Sequence, residues 1–91
     1  MKPSIGCIVH YTLSEQDAAE INRRRADDPA AYAGNQAREG DVCPAMIARI
    51  FGETPESAVN LQVTLDGNDT FWATSRTEGE GPFHWAWPER V

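Results

Sequence analysis

Val59-Asn60-Leu61-Gln62-Val63-Thr64-Leu65 runs into Asp66-Gly67-Asn68-Asp69 and then into Thr70-Phe71-Trp72-Ala73-Thr74-Ser75, and this stretch decides the fold class. Val59, Leu61, Val63 and Leu65 fall on one side of an extended chain, with Asn60, Gln62 and Thr64 on the other. That is the two-residue period of a strand with one face buried. The Asp-Gly-Asn-Asp step is a hairpin signal, because Gly and Asn supply the backbone conformations a tight reversal needs. The chain therefore returns antiparallel, with Phe71, Ala73 and Ser75 on one face and Trp72, Thr74 and Arg76 on the other.

Working outward, Val42 to Phe51 reads as another strand, with Pro44 near its beginning, where an edge or a bulge tolerates a missing donor. The turn cluster Gly52 to Ser57 joins it to the hairpin. After Glu78-Gly79-Glu80-Gly81-Pro82, the residues Phe83-His84-Trp85-Ala86-Trp87 supply a last strand, ended by Pro88. At the front, Ile5 to Tyr11 is short and β-branched, a first strand buried on at least one face.

Ser14 with Asp17 three residues on makes a capping-box pattern ahead of Ala18, Ala19 and Ile21. A helix over residues 15–25 follows, with Arg23 to Arg25 in its last turn beside the carbonyl end of the dipole, and Asp28-Pro29 stops it. Residues 27–41 are small and polar, with one turn of helix expected around Ala30 to Tyr32. A connection this long is expected to be functional or disordered.

Together these segments predict a mainly β protein, either a small five-stranded SH3-like barrel or a curled antiparallel sheet, with one helical insertion after the first strand. An OB-like barrel is the alternative. Residues 1–91 form a single domain.

The 91 residues carry eight Lys and Arg against fourteen Asp and Glu, a formal charge of −6. A generic duplex-DNA binder needs a basic face, so that class is excluded. Local cation groups survive at Arg23 to Arg25, Arg49, Arg76 and Arg90. No segment approaches the roughly 20 apolar residues that span a bilayer, and the N-terminus lacks a signal-peptide core. The expected compartment is the host cytoplasm, with Cys7 and Cys43 reduced rather than bridged. A chain this small buries only about two thirds of its unfolded surface, so a sizeable ligand belongs on a sheet face, in a loop cleft or between subunits, and a homo-oligomer would add buried area.

Phe83, Trp85 and Trp87 share one face of the last strand and are expected to plug the core. Trp72, sharing its side with Arg76, is the better ligand platform, since an indole beside a guanidinium suits a nucleobase and phosphate, or equally a partner's side chains. His10 and His84 stand in the first and last strands, which become neighbours when a small sheet closes.

A zinc site from Cys7, His10, Cys43 and His84 fails, because residues three apart on a strand face opposite ways. The His10-Tyr11-Thr12 step has the His-x-Thr form of two-histidine phosphoesterases, but His84-Trp85-Ala86 lacks the second copy. No nucleophile elbow, phosphate loop or cofactor motif is present, and no catalytic residue or cofactor is expected. The arginine run offers an anion clamp if the following loop, with Asn35 and Arg38, folds back as a lid over the helix end.

Ile8-Val9-His10-Tyr11, Gly40-Asp41-Val42 with Pro44-Ala45, and His84-Trp85 with Trp87-Pro88-Glu89-Arg90-Val91 resemble a group of small uncharacterised proteins of tailed bacteriophages and prophages, particularly actinobacterial ones. The resemblance implies a virion accessory, a regulator of host machinery or an inhibitor of host defence, and transfers no site residue. The expected function is a non-enzymatic binding module, a counter-defence protein that sequesters an anionic nucleotide-derived signal through His10, Arg24, Asn35, Trp72, Arg76 and His84. The alternative is a protein-interaction or virion accessory protein docking on a host or phage protein, with a small nucleotide hydrolase third.

Overall fold

The computed structural model describes residues 2–89; Arg90 and Val91, the end of the terminal motif, lie outside the described residues. The element order is β1 (Ile8–Thr12), α1 (Glu15–Asp27), β2 (Val42–Ile50), β3 (Val59–Thr64), β4 (Thr70–Arg76) and β5 (Trp85–Ala86). All five strands join one antiparallel sheet in the order β4-β3-β2-β1-β5. The first and last strands are neighbours, His10 opposite Ala86 and Tyr11 opposite Trp85.

The sheet curls. After β4 the chain crosses to β5, where Glu78 and Trp85 form a single parallel bridge and the Gly79 amide donates to the Trp85 carbonyl at 3.0 Å. One bridge does not close a barrel, so of the two expected architectures the curled sheet is the one formed.

One face of the sheet packs under α1 and the loop that follows it. Val9, Tyr11, Ala45, Ile47, Val59, Leu61, Val63, Ala73 and Trp85 are essentially fully buried there, with Ala18 and Ile21 of the helix against them. Burying each large apolar side chain contributes about 1.5–3 kcal/mol. The alternation of β3 thus reads out as expected, and Trp85 is the core plug. Trp87 stands edge-on to it at 5.3 Å and is only partly buried, while Phe83 stays 43% exposed.

The helix begins at the expected cap. Ser14 Oγ accepts from the Asp17 amide and the Asp17 carboxylate accepts from the Ser14 amide. It runs two residues past the expected end, to Asp27.

Pro44 is a correction. It sits in β2, the central strand, rather than at an edge. The β2–β3 ladder begins at Ala45 opposite Val63, so Pro44 lies beyond the point where β3 requires a donor from it.

Cys7 and Cys43 are both free. The Ile47 amide donates to the Cys7 carbonyl, whereas Cys43 stands opposite Tyr11. The two thiols are thus separated by about four strand residues, ~13 Å, far beyond disulfide reach.

Residues 28–41 open with the expected single turn, in which the Ala31 and Tyr32 amides donate to the Asp28 carbonyl, and are otherwise not a free loop. They fold back and clip onto the β3–β4 turn through an isolated bridge between Gly34 and Gly67, and the Asn68 side chain of that turn accepts from the Ala33 amide and donates to the Ala31 carbonyl. A Cβ on Gly34 would sit 2.7 Å from the Gly67 Cα, and one on Gly67 would sit 2.6 Å from the Ala33 carbonyl. Only glycine allows backbones to approach so closely. Gly34→Ala is therefore expected to cost about 1–3 kcal/mol by forcing the clip open. Urea unfolding checks this, and an unchanged midpoint would mean that the loop is not docked on the turn.

Candidate functional site

The residues expected to gather around an anion separate onto three parts of the molecule. Arg76 is the first correction. Simple alternation along β4 puts it beside Trp72, but Ser75 takes φ of +56° and the β3–β4 register shifts between Val59 and Leu61. A residue in the left-handed region together with a bulge reverses which way the next side chain points. Trp72 consequently faces outward, 61% exposed, while Arg76 turns into the core at 8%.

There Arg76 completes a buried cluster. Its Nε donates to the Tyr11 hydroxyl at 2.8 Å, its Nη2 lies 3.0 Å from Asp17 Oδ1, and its Nη1 donates to the Thr74 carbonyl. The Tyr11 hydroxyl donates in turn to Asp17 Oδ2. Phe83, held at φ of +77°, covers the guanidinium at 3.8 Å from ring centroid to Cζ. Burial, with a further push from the Asp17 carboxylate, drives the Tyr11 phenol well above its usual range.

The cluster welds β1, the first turn of α1 and the end of β4, and leaves no donor set free for a ligand. Breaking a buried pair strands a charge. Arg76→Met is thus expected to lose about 3–5 kcal/mol and Tyr11→Phe about 1 kcal/mol. Chemical denaturation with the Asp17→Asn/Arg76→Met double variant checks the coupling, because that pair should recover part of the loss.

Arg24 and Arg25 do clamp an anion, and the anion belongs to the chain. Asp17, Ala18, Ile21, Arg24 and Arg25 fall on one helical stripe, so these two arginines face the sheet. Both contact the Asp69 carboxylate, at 2.8 and 2.7 Å. Arg24 also donates to the Thr70 carbonyl at 3.0 Å, and Arg25 to the Asn35 carbonyl at 2.5 Å. Asn35 spends its amide on Asp66 at 2.7 Å. The expected lid has closed, over the carboxylates of the β3–β4 turn.

The Arg25 hydrogen bonds, then those of Arg24, hold Asp69 below the usual carboxylate range, while the pairing raises Arg25. A depressed carboxylate contributes stability that is full above its unfolded value, near pH 4, and that disappears as pH falls through the lower folded value. Asp69→Asn is therefore expected to flatten the drop in Tm below about pH 4; an acid limb as steep as that of the parent would show the pair to be uncoupled from folding.

A cleft of about 670 Å³ opens between residues 35–38, the start of β2 and Leu65. Its two arginines, Arg25 and Arg38, are matched by Asp41 and Asp66, so it offers no net charge to an anion. His84 is half-buried with Nδ1 3.1 Å from the Thr77 carbonyl. Among the described residues no three His, Cys, Asp or Glu side chains come together in a way that could hold a metal ion. No helix among them is long and apolar enough to cross a membrane.

What remains is the other face of the sheet, which sequence reading did not single out as a unit. Ile8, Val42, Met46 and Trp72 are all about half exposed or more, and His10, Pro44, Ala48, Gln62, Thr64, Thr70 and Ala86 are exposed between them. Register places Ile8, Met46, Gln62 and Trp72 in one row across four strands, and His10 between Pro44 and Ala86 in the next. Of the six residues expected to bind a ligand, only Trp72 and His10 belong to this surface. A recess of about 540 Å³ indents it at the β1–β5 side, formed by His10, Thr12, Val42, Ala86, Trp87 and Glu89.

Fold and surface together define a two-layer arrangement, a sheet covered by a helix on one side and, among the described residues, bare on the other. No family model, curated protein or solved structure matches the chain.

Proposed function

We propose that this protein is a non-enzymatic interaction module that works by covering the bare face of its sheet with another protein surface. The observation that carries this reading is the chemistry of that face. No Lys, Arg, Asp or Glu occupies an outward position in Ile8–Thr12, in β2 as far as Ala48, in Gln62–Thr64, in Thr70–Thr74 or at Ala86, in a chain that is 24% charged. Contiguous exposed apolar surface rimmed by polar residues is what interaction sites present, and depletion of charge at the centre with enrichment of Trp and Met is their compositional mark.

The resemblance to small phage proteins supports a virion accessory or a binder of a host protein over a self-contained enzyme. Sequestration of a nucleotide-derived signal has less support. Arg24, Asn35 and Arg76, which would have held its phosphates, are each bonded to a carboxylate of the chain itself.

The experiment is site-specific photo-crosslinking in cells. A photoreactive phenylalanine analogue at Gln62 or Thr64, on the bare face, is expected to give a protein adduct, and the same analogue at Glu20 on the exposed side of α1 is expected to give none. Equal adducts from both positions, or none from the sheet, would overturn the reading.

A further inference from the structure

The bare face commits further than to an unspecified partner. We infer that its occupant is a second copy of this chain, so that two sheets pack face to face as an isologous pair; this rests on the reading of that face as an interaction surface.

Three features of the surface favour self-association. The first is charge. Two chains of −6 each repel wherever their carboxylates meet, and the outward strand positions form a surface that two copies can bring together without opposing acids. A separate partner selected by charge complementarity would find no charge at its centre to select on. Among the described residues charge returns at the margins of the face, as Arg49 beyond the bulge in β2 and as Glu89 in the recess at the β1–β5 side.

The second feature is shape. Trp72 projects from β4 at one edge of the face, 61% exposed, and the recess lined by His10, Thr12, Val42, Ala86, Trp87 and Glu89 lies toward the other edge. A projection and a hollow on one surface are the requirement for a two-fold contact, in which residue i meets j and j meets i.

The third is size. Strands about 4.8 Å apart, with four to five residues from each of β1 to β4 and only Ala86 from the two-residue β5, give a patch of at most roughly 24 by 18 Å including side chains. Counted on both copies and as accessible surface, it reaches the order of 1,000 Å² that separates specific interfaces from incidental ones. Face-to-face sheets about 10 Å apart also interdigitate side chains as readily between chains as within one.

Sedimentation of the purified full chain tests the proposal. A mass twice the 10.1 kDa of one chain is expected at concentrations of about 10 μM and above, a modest affinity for an interface of this area. Trp72→Glu and, independently, Met46→Glu are each expected to weaken the pair at least about thirtyfold, while Glu20→Ala on the helix leaves it unchanged. Circular dichroism confirms that each variant is folded, and both positions are surface positions in the free chain.

A protein that sediments as a monomer at about 200 μM, or a dimer indifferent to both sheet variants, overturns self-pairing. The two claims fail separately. A monomer whose Gln62 or Thr64 position still crosslinks to a different protein removes only the second copy. A monomer with no sheet-face adduct removes the interaction surface itself.

Discussion

The structure hangs on one buried ion pair. Asp17 and Arg76 are separated by most of the chain, yet their contact, relayed through the Tyr11 hydroxyl, joins the N-terminus of the helix to the first strand and to the end of the fourth. Asp17 does two jobs with one carboxylate, capping the helix and anchoring the arginine. That economy ties helix formation to sheet formation. The helix cap reaches its full set of partners only when β4 is in register, and β4 can bury a guanidinium only where the cap supplies a counter-charge. Buried charge is costly without such satisfaction. The arrangement therefore specifies one docking of helix on sheet and penalises alternatives.

A second pair works at the other end of the same helix. Arg24 and Arg25 meet Asp69 in the β3–β4 turn, and the glycine contact at Gly34 and Gly67 lets the long connection lie flat over that turn. The helix is thus pinned at both termini, at Asp17 and at Arg25, across a core supplied by β-branched and aromatic side chains. Local dipole effects alone account for acids at its start and bases at its end, but each also has a specific partner in the sheet. A helix of modest apolar content is held mainly by what its ends grip.

Much of the architecture was readable from residue pattern alone. The alternation from Val59 to Leu65, the Asp-Gly-Asn-Asp reversal and the Ser14 to Asp17 cap are local signals, and the structure follows each. Three features were not readable, for physical reasons. The reversal at Ser75 depends on a left-handed residue and a bulge, which alternation cannot register, so alternation alone places Arg76 on the wrong face. The partners of Arg24, Arg25 and Asn35 lie thirty or more residues away in Asp69 and Asp66, and only folding brings them close. The bare face escaped notice because its members, Ile8, Met46, Trp72 and Ala86, come from four separate strands, and each alone is an ordinary exposed residue. Their shared lack of charge becomes visible once register sets them side by side.

The helix and its clipped loop occupy one side of the sheet and leave a single side bare. This asymmetry sets the valence of the molecule. A sheet bare on both sides could stack without limit, each added layer presenting a fresh surface for the next. In the proposed pairing each participant would use up its one bare side and turn its helix layer toward water, so that growth would stop at two. The layer that completes the core of one chain would then also be what terminates the proposed assembly.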